Sequence, residues 1–150
     1  MFVLFNQLTI PKDQTIQMVW TNHGIKGIRH HPIHLHGHSF HVLKIGFGKY
    51  NQSTGQYLGE NTDINCPTSY CNQPKWKNGI DGGNNVPGLK TAKPIQKDTL
   101  MVPAGAYAVI RFRSDNPGKW FLHCHIEFHS MQGEKMQAGS RFLRVWKKNS

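Results

Sequence analysis

Ten histidines stand among 150 residues, and they are clustered: six lie between His30 and His41, in HHPIHLHGHSFH, and three lie between His123 and His129, in HCHIEFH. A neutral imidazole is the commonest protein metal ligand. A lone histidine is ordinarily a satisfied core residue, and a free cysteine ordinarily packs like a small hydrophobe. That bland account does not cover seven such residues whose positions along the chain are complementary.

Residues two apart on a β-strand share a face. His34 and His36 therefore project together and can hold a metal from one side. His31, three before His34, has the opposite parity and faces another site. His38 continues the parity of the first pair, and serves equally well as a supporting or a packing residue. In the second cluster His123 and His125 share one face while Cys124 points to the other. One tripeptide can then serve two metal sites, with the backbone around Cys124 as a short through-bond path for electrons between them. His129 follows Cys124 by five positions, where a turn leaving the strand could swing it back beside the thiolate.

The set His31, Cys124 and His129 thus supplies two imidazoles and one thiolate, the trigonal ligands of a blue-copper site tuned by a weak axial group. Zinc also takes Cys and His, but a structural zinc needs four ligands and usually draws on separated cysteine pairs. The residues here divide instead into a Cys-His-His set and a four-histidine set, which favours copper.

Positioning such ligands calls for strands. Leu8 to Asn22 alternates and is rich in β-formers, with Pro11-Lys12-Asp13 as a turn, and predicts two short strands. His34 to Lys44 predicts another, ended by Gly46-Phe47-Gly48. DTLMVP, Tyr107 to Arg113 and Lys119 to His125 predict three more, separated by Ala104-Gly105 and Asp115-Asn116-Pro117-Gly118 turns. Arg141 to Trp146 predicts a last strand, after a short helical turn over 125–133. Between them, from about Lys49 to Lys97, the composition shifts to Asn, Gly, Pro, Gln and Lys without periodicity. This predicts a long loop insertion, functional or stapled, with Cys66 and Cys71 as a possible disulfide staple. Short strands, frequent turns and almost no helix predict an all-β sandwich or barrel.

A length of 150 residues suits one domain. The excess of 18 Lys plus Arg over 8 Asp plus Glu is scattered, without the basic blocks interleaved with aromatics that a nucleic-acid groove needs. No run is long enough to span a membrane. The N-terminus has neither a basic region nor a small-residue cleavage site, so any secretion signal is expected upstream and the chain reads as a fragment. The Cys66/Cys71 pair and the glycosylation sequon Asn51-Gln52-Ser53 both point to an oxidising, extracellular compartment.

HPIHLHGH, from His31 to His38, and HCHIEFH, from His123 to His129, resemble the two copper signatures in the last domain of multicopper oxidases. KDTLMVPAGAYAVIRFRSDNPGKWFLHCH is similar to invertebrate laccase-type sequences, so the resemblance covers most of the chain except its last fifteen or so residues. It implies a cupredoxin Greek-key sandwich spanning 1–150 as a C-terminal domain, with the insertion at about 49–97.

By the same resemblance His31, Cys124 and His129 bind the type 1 copper, and His129 is the exposed electron entry. His34 binds the type 2 copper, and His36, His123 and His125 bind the type 3 pair. Glu127 occupies an acidic position linked to proton delivery. The axial position, ten residues after the cysteine, holds Glu134 where the family has Met, Leu or Phe. Met136 lies two further on and offers the softer ligand. The trinuclear cluster needs twice as many histidines as the four this chain supplies, so N-terminal cupredoxin domains of the same polypeptide are the expected partners, and the fragment alone is not expected to reduce oxygen. The implied reaction oxidises phenols or diphenols by single electrons and reduces O2 to water. A ferroxidase acting on Fe(II) is the nearest alternative. A stand-alone blue-copper carrier is another, although it would have no use for the four-histidine set.

Overall fold

The computed structural model describes residues 8–23, 29–66, 74–126 and the backbone of 144–147. Its strands are β1 (Thr15–Thr21), β2 (His31–Leu35), β3 (Phe40–Gly46), β4 (Lys49–Tyr50), β5 (Tyr57–Gly59), β6 (Ile64–Asn65), β7 (Lys75–Trp76), β8 (Ile95–Lys97), β9 (Thr99–Val102), β10 (Tyr107–Arg113), β11 (Leu122–Cys124) and β12 (Arg144–Lys147). All pairings are antiparallel. A five-stranded sheet runs β12-β1-β10-β3-β8, and a three-stranded sheet runs β11-β2-β9.

The two sheets face each other across one apolar layer. Ile16, Met18 and Trp20 of β1, Ala108, Ile110 and Phe112 of β10 and Phe40 of β3 meet Leu35 of β2 and Leu100 and Val102 of β9. Period two explains the choice, since these are the even residues of β1 and β10. Odd residues are buried as well: Val19 of β1, Tyr107 and Val109 of β10 and Leu43 of β3 pack with Ile64 and Val86, flanked by Trp76, Ile80 and Leu89. The supposed loop insertion is therefore the cover of the five-stranded sheet's other face, which is why β10 reads as an almost unbroken apolar run rather than an alternating one.

Polar bonds fasten that cover. Tyr107 donates its hydroxyl proton to Asp63 Oδ2 at 2.6 Å, and Arg111 donates to Gln17 Oε1 and Asn84 Oδ1, both at 2.6 Å. Trp76 meets Tyr107 edge-on with ring centroids 5.2 Å apart.

Several sequence expectations need correction. The single strand expected from His34 to Lys44 is two, β2 and β3, belonging to different sheets. The chain breaks at Gly37, whose φ is +70° and where an added Cβ would lie 2.3 Å from the Trp120 ring. DTLMVP holds β9 as expected, but the stretch expected to be loop up to Lys97 ends in a strand of its own, β8, and at Asp98 the chain leaves β8 in one sheet for β9 in the other. Leu8 to Pro11 forms no strand, and β11 is shorter than the stretch expected from Lys119 to His125. In contrast β10 has the bounds expected of it, Tyr107–Arg113. The helical turn expected over 125–133 falls mostly outside the described residues.

Candidate metal centre

β2 lies between β11 and β9, and its register decides which side chains meet. His34 is paired with His123 on one side and Thr99 on the other, while Ile33 is paired with Cys124 and Leu100. Directly paired residues share a face. Leu35, Leu100 and Val102 are buried in the core, so the face carrying Ile33, Cys124 and His31 looks inward and the face carrying His34, His123 and Thr99 looks outward. Two bonds extend the ladder past the strand ends: His36 N–H donates to Phe121 O at 2.8 Å, and His125 N–H donates to Pro32 O at 2.7 Å.

On the outward face four imidazoles converge. The His34 ring lies 4.6 Å from that of His36, 5.8 Å from that of His123 and 5.6 Å from that of His125, centroid to centroid. His123 and His125 stack at 5.5 Å. His123 Nδ1 is 3.0 Å from the carbonyl of Cys124. A carbonyl only accepts, so Nδ1 carries the proton and Nε2 offers its lone pair. His36 Nε2 stands 3.0 Å from that atom, and in the metal-free protein its N–H donates there. The same separation suits two nitrogens held by one ion at about 2.0 Å and roughly a right angle. Desolvation, followed by the neighbouring His34, His123 and His125, holds His36 below the ordinary imidazole range. At neutral pH it is uncharged, as a ligand must be.

On the inward face Cys124 is buried and free of any disulfide. Its Sγ lies 3.5 Å from His31 Nδ1. With metal–sulfur and metal–nitrogen bonds of about 2.3 and 2.0 Å, that spacing corresponds to an angle near 110° at a shared ion. Burial pushes the Cys124 thiol up, partly offset by a backbone hydrogen bond from Ile126. A coordinated cation reverses such a shift by displacing the proton.

The structure thus brings together His34, His36, His123 and His125 on one face and His31 with Cys124 on the other. His129, Glu127, Met136, Glu134 and Cys71 lie outside the described residues. His38 is a packing residue, with its ring 5.0 Å from Phe112 and 6.1 Å from Trp120. His30 accepts a 3.3 Å bond from Ala104 N–H, which helps tie the start of β2 to the turn after β9.

Sequence reasoning missed one further cluster, in which donor atoms of His23, Glu60 and Cys66 lie within 4.8 Å of one another. An isolated histidine and two residues of an aperiodic insertion carried no signal of it. With Cys66 assigned to a disulfide, as the sequence suggests, it reduces to a buried imidazole beside a carboxylate.

A family model described as multicopper oxidase matches residues 5–141. The chain belongs to the multicopper oxidase family. Among curated multicopper oxidases it is 38% identical over 127 residues to Laccase-22 of Oryza sativa subsp. japonica, covering 85% of this chain and 17% of that protein. It is 34% identical over 127 residues to Laccase-4 of Arabidopsis thaliana, again covering 85% and 17%. The crystal structure of Fet3p, titled a multicopper oxidase that functions in iron import, superposes with a TM-score of 0.53 and 30% identity, covering 89% of this chain and 19% of that one. The fold is all-β and cupredoxin-like, as expected from the motifs, and the family is a copper-using one. The chain spans 17% of the length of both laccases.

Proposed function

We propose that this chain is the C-terminal cupredoxin domain, spanning 1–150, of a laccase-type multicopper oxidase. It carries a type 1 copper site and half of a trinuclear cluster. The observation that carries this reading is the sidedness of one tripeptide: the Cys124 sulfur faces His31 at 3.5 Å, while the flanking His123 and His125 join His34 and His36 on the opposite face.

His31, Cys124 and His129 would hold the type 1 copper, and Met136, the softer donor beside Glu134, is a further candidate ligand. His34 holds the type 2 copper, and His36, His123 and His125 hold half of the type 3 ligands. The remaining histidines come from N-terminal cupredoxin domains of the same polypeptide. When bound, the coppers supply one-electron oxidation at one site and reduction of O2 to water at the other. Four phenol or diphenol oxidations balance one O2 with four protons. Cys124, bonded through its own backbone to both His123 and His125, links the two sites covalently. His129 is the electron entry, and Glu127 hands on protons.

A secreted glycoprotein suits the sequon at Asn51, which is half-buried at the head of an exposed turn, where Asn51 Oδ1 accepts the backbone N–H of Ser53 and Thr54 at 2.9 and 3.0 Å. It also suits a Cys66–Cys71 disulfide. A ferroxidase is the second reading, favoured by the structural similarity to Fet3p. The laccase reading has the curated relatives on its side.

Copper loading of the holoprotein tests the proposal. Intense blue thiolate-to-copper absorption is expected, together with oxygen uptake driven by a diphenol. Blue absorption that persists in Cys124→Ser, or a faster reaction with Fe(II) than with diphenols, would sink the type 1 assignment or the laccase reading respectively.

A further inference from the structure

We propose that Thr99 is a positioning residue for His34, holding the orientation of a ring whose tautomer the Asp98 carbonyl sets, so that Nε2 is presented to metal. This rests on the copper reading above.

His34 Nδ1 lies 3.0 Å from the Asp98 carbonyl oxygen and 2.8 Å from Thr99 Oγ1. A carbonyl has no proton to give, so the contact with Asp98 requires the proton to be on Nδ1. Thr99 Oγ1 then accepts from the same N–H in a three-centre bond. The Nε2 lone pair is left on the far edge of a ring whose neighbours are the His36, His123 and His125 imidazoles.

Two features make Thr99 more than a bystander. The Asp98 carbonyl is already shared, because it also accepts the Leu35 backbone N–H at 3.1 Å where the chain changes sheets. The hydroxyl of Thr99 supplies the shorter of the two contacts to the ring. Thr99 is also directly paired with His34 in the β2–β9 ladder. Its β-branched side chain has few χ1 choices on a strand, so the oxygen is held in place by backbone register. A ligand imidazole whose distal nitrogen is tied this way keeps one tautomer and one orientation. Loss of such a partner typically weakens metal binding about 10- to 100-fold.

The test compares the native protein with Thr99→Val, which keeps the shape and suits a strand, and Thr99→Ser, which restores the hydroxyl. Thr99→Ala serves should the valine variant not fold. Long-range 1H–15N correlation on the metal-free protein reads the His34 tautomer and the solvent exchange of its Nδ1 proton. Electron paramagnetic resonance of the copper-loaded holoprotein reads type 2 occupancy. The expected result is the Nδ1–H form in every variant, because the Asp98 carbonyl remains, with the Nδ1 proton exchanging with solvent faster in the valine variant than in the native and serine proteins. Type 2 affinity should fall about 10- to 100-fold in that variant, with the blue band intact. An unchanged Nδ1–H exchange rate and unchanged type 2 affinity in Thr99→Val would overturn the role of Thr99 while leaving the copper reading standing. A native protein that takes up no copper would overturn both, and it declares itself in the native arm alone.

Discussion

The Cys124 sulfur and the His31 Nδ1 nitrogen face each other at 3.5 Å, from the adjacent strands β11 and β2. Neither residue is adjacent to the other in the chain or directly paired with it in the ladder. Their meeting depends on Cys124 pairing with Ile33, two positions from His31 on the same inward face.

Exchange of Cys124 for serine should therefore separate the two metal sets. The blue absorption is expected to vanish. The outward histidines keep their tautomer-fixing contacts, so metal uptake by the His34, His36, His123 and His125 set should persist. Metal stoichiometry alongside the visible spectrum checks both halves; loss of all metal would contradict the two-sided arrangement.

Gly37→Ala is expected to destabilise the fold by roughly 2–3 kcal/mol, combining a positive φ with overpacking. The added methyl has nowhere to go, because the Trp120 ring lies 2.3 Å away and is itself anchored by its Nε1 donating to Asn116 O at 3.0 Å. Urea unfolding of the variant measures this. Trp120→Ala combined with Gly37→Ala should recover the steric part and leave the backbone part.

Tyr107→Phe tests the attachment of the insertion. Burial first, and then Asp63, push the Tyr107 phenol well above its usual range, so at neutral pH it remains a donor to Asp63. Removing the hydroxyl should cost about 1–3 kcal/mol. Hydrogen exchange should rise around Asp63 and Ile64 more than in β2 or β11. Uniform destabilisation would argue against a separately fastened cover.

Acid should weaken the protein through His23. Burial lowers its pKa from 6.5, against the raising effect of Glu60, whose carboxylate is 3.5 Å from Nδ1. Lys77 adds to the lowering. Between the lowered and ordinary values the unfolded chain holds a proton that the folded chain does not. The contribution is thus fully present above pH 6.5 and is lost as pH falls through the folded value. Urea midpoints for native protein and His23→Gln, compared from about pH 7.5 to 5, should show the steeper acid decline in the native protein. Parallel profiles would remove His23 as the cause.

Much of the candidate site's sidedness was legible because strand parity is local: the two-residue period alone separated His31 from His34 and Cys124 from His123 and His125. What was not legible depended on distant partners. The break at Gly37 is imposed by Trp120, and the sheet change at Asp98 becomes visible only once β2 and β3 are known to lie in different sheets. Thr99 gains its place beside His34 from cross-strand register. The insertion looked like a loop because its apolar residues, among them Ile64, Trp76, Ile80 and Val86, are spaced too irregularly to declare a face. They nonetheless share one, against Val19, Tyr107 and Val109.

The placement of β2 between two partners has a further consequence. A slip of one residue would turn every side chain on it to the other side, sending His31 outward among the imidazoles and His34 inward toward the thiolate. The identity of each proposed metal compartment is thus written in hydrogen-bond alignment as much as in amino-acid choice. An insertion or deletion within 31–35 would scramble both proposed centres at once, even with every candidate ligand still encoded.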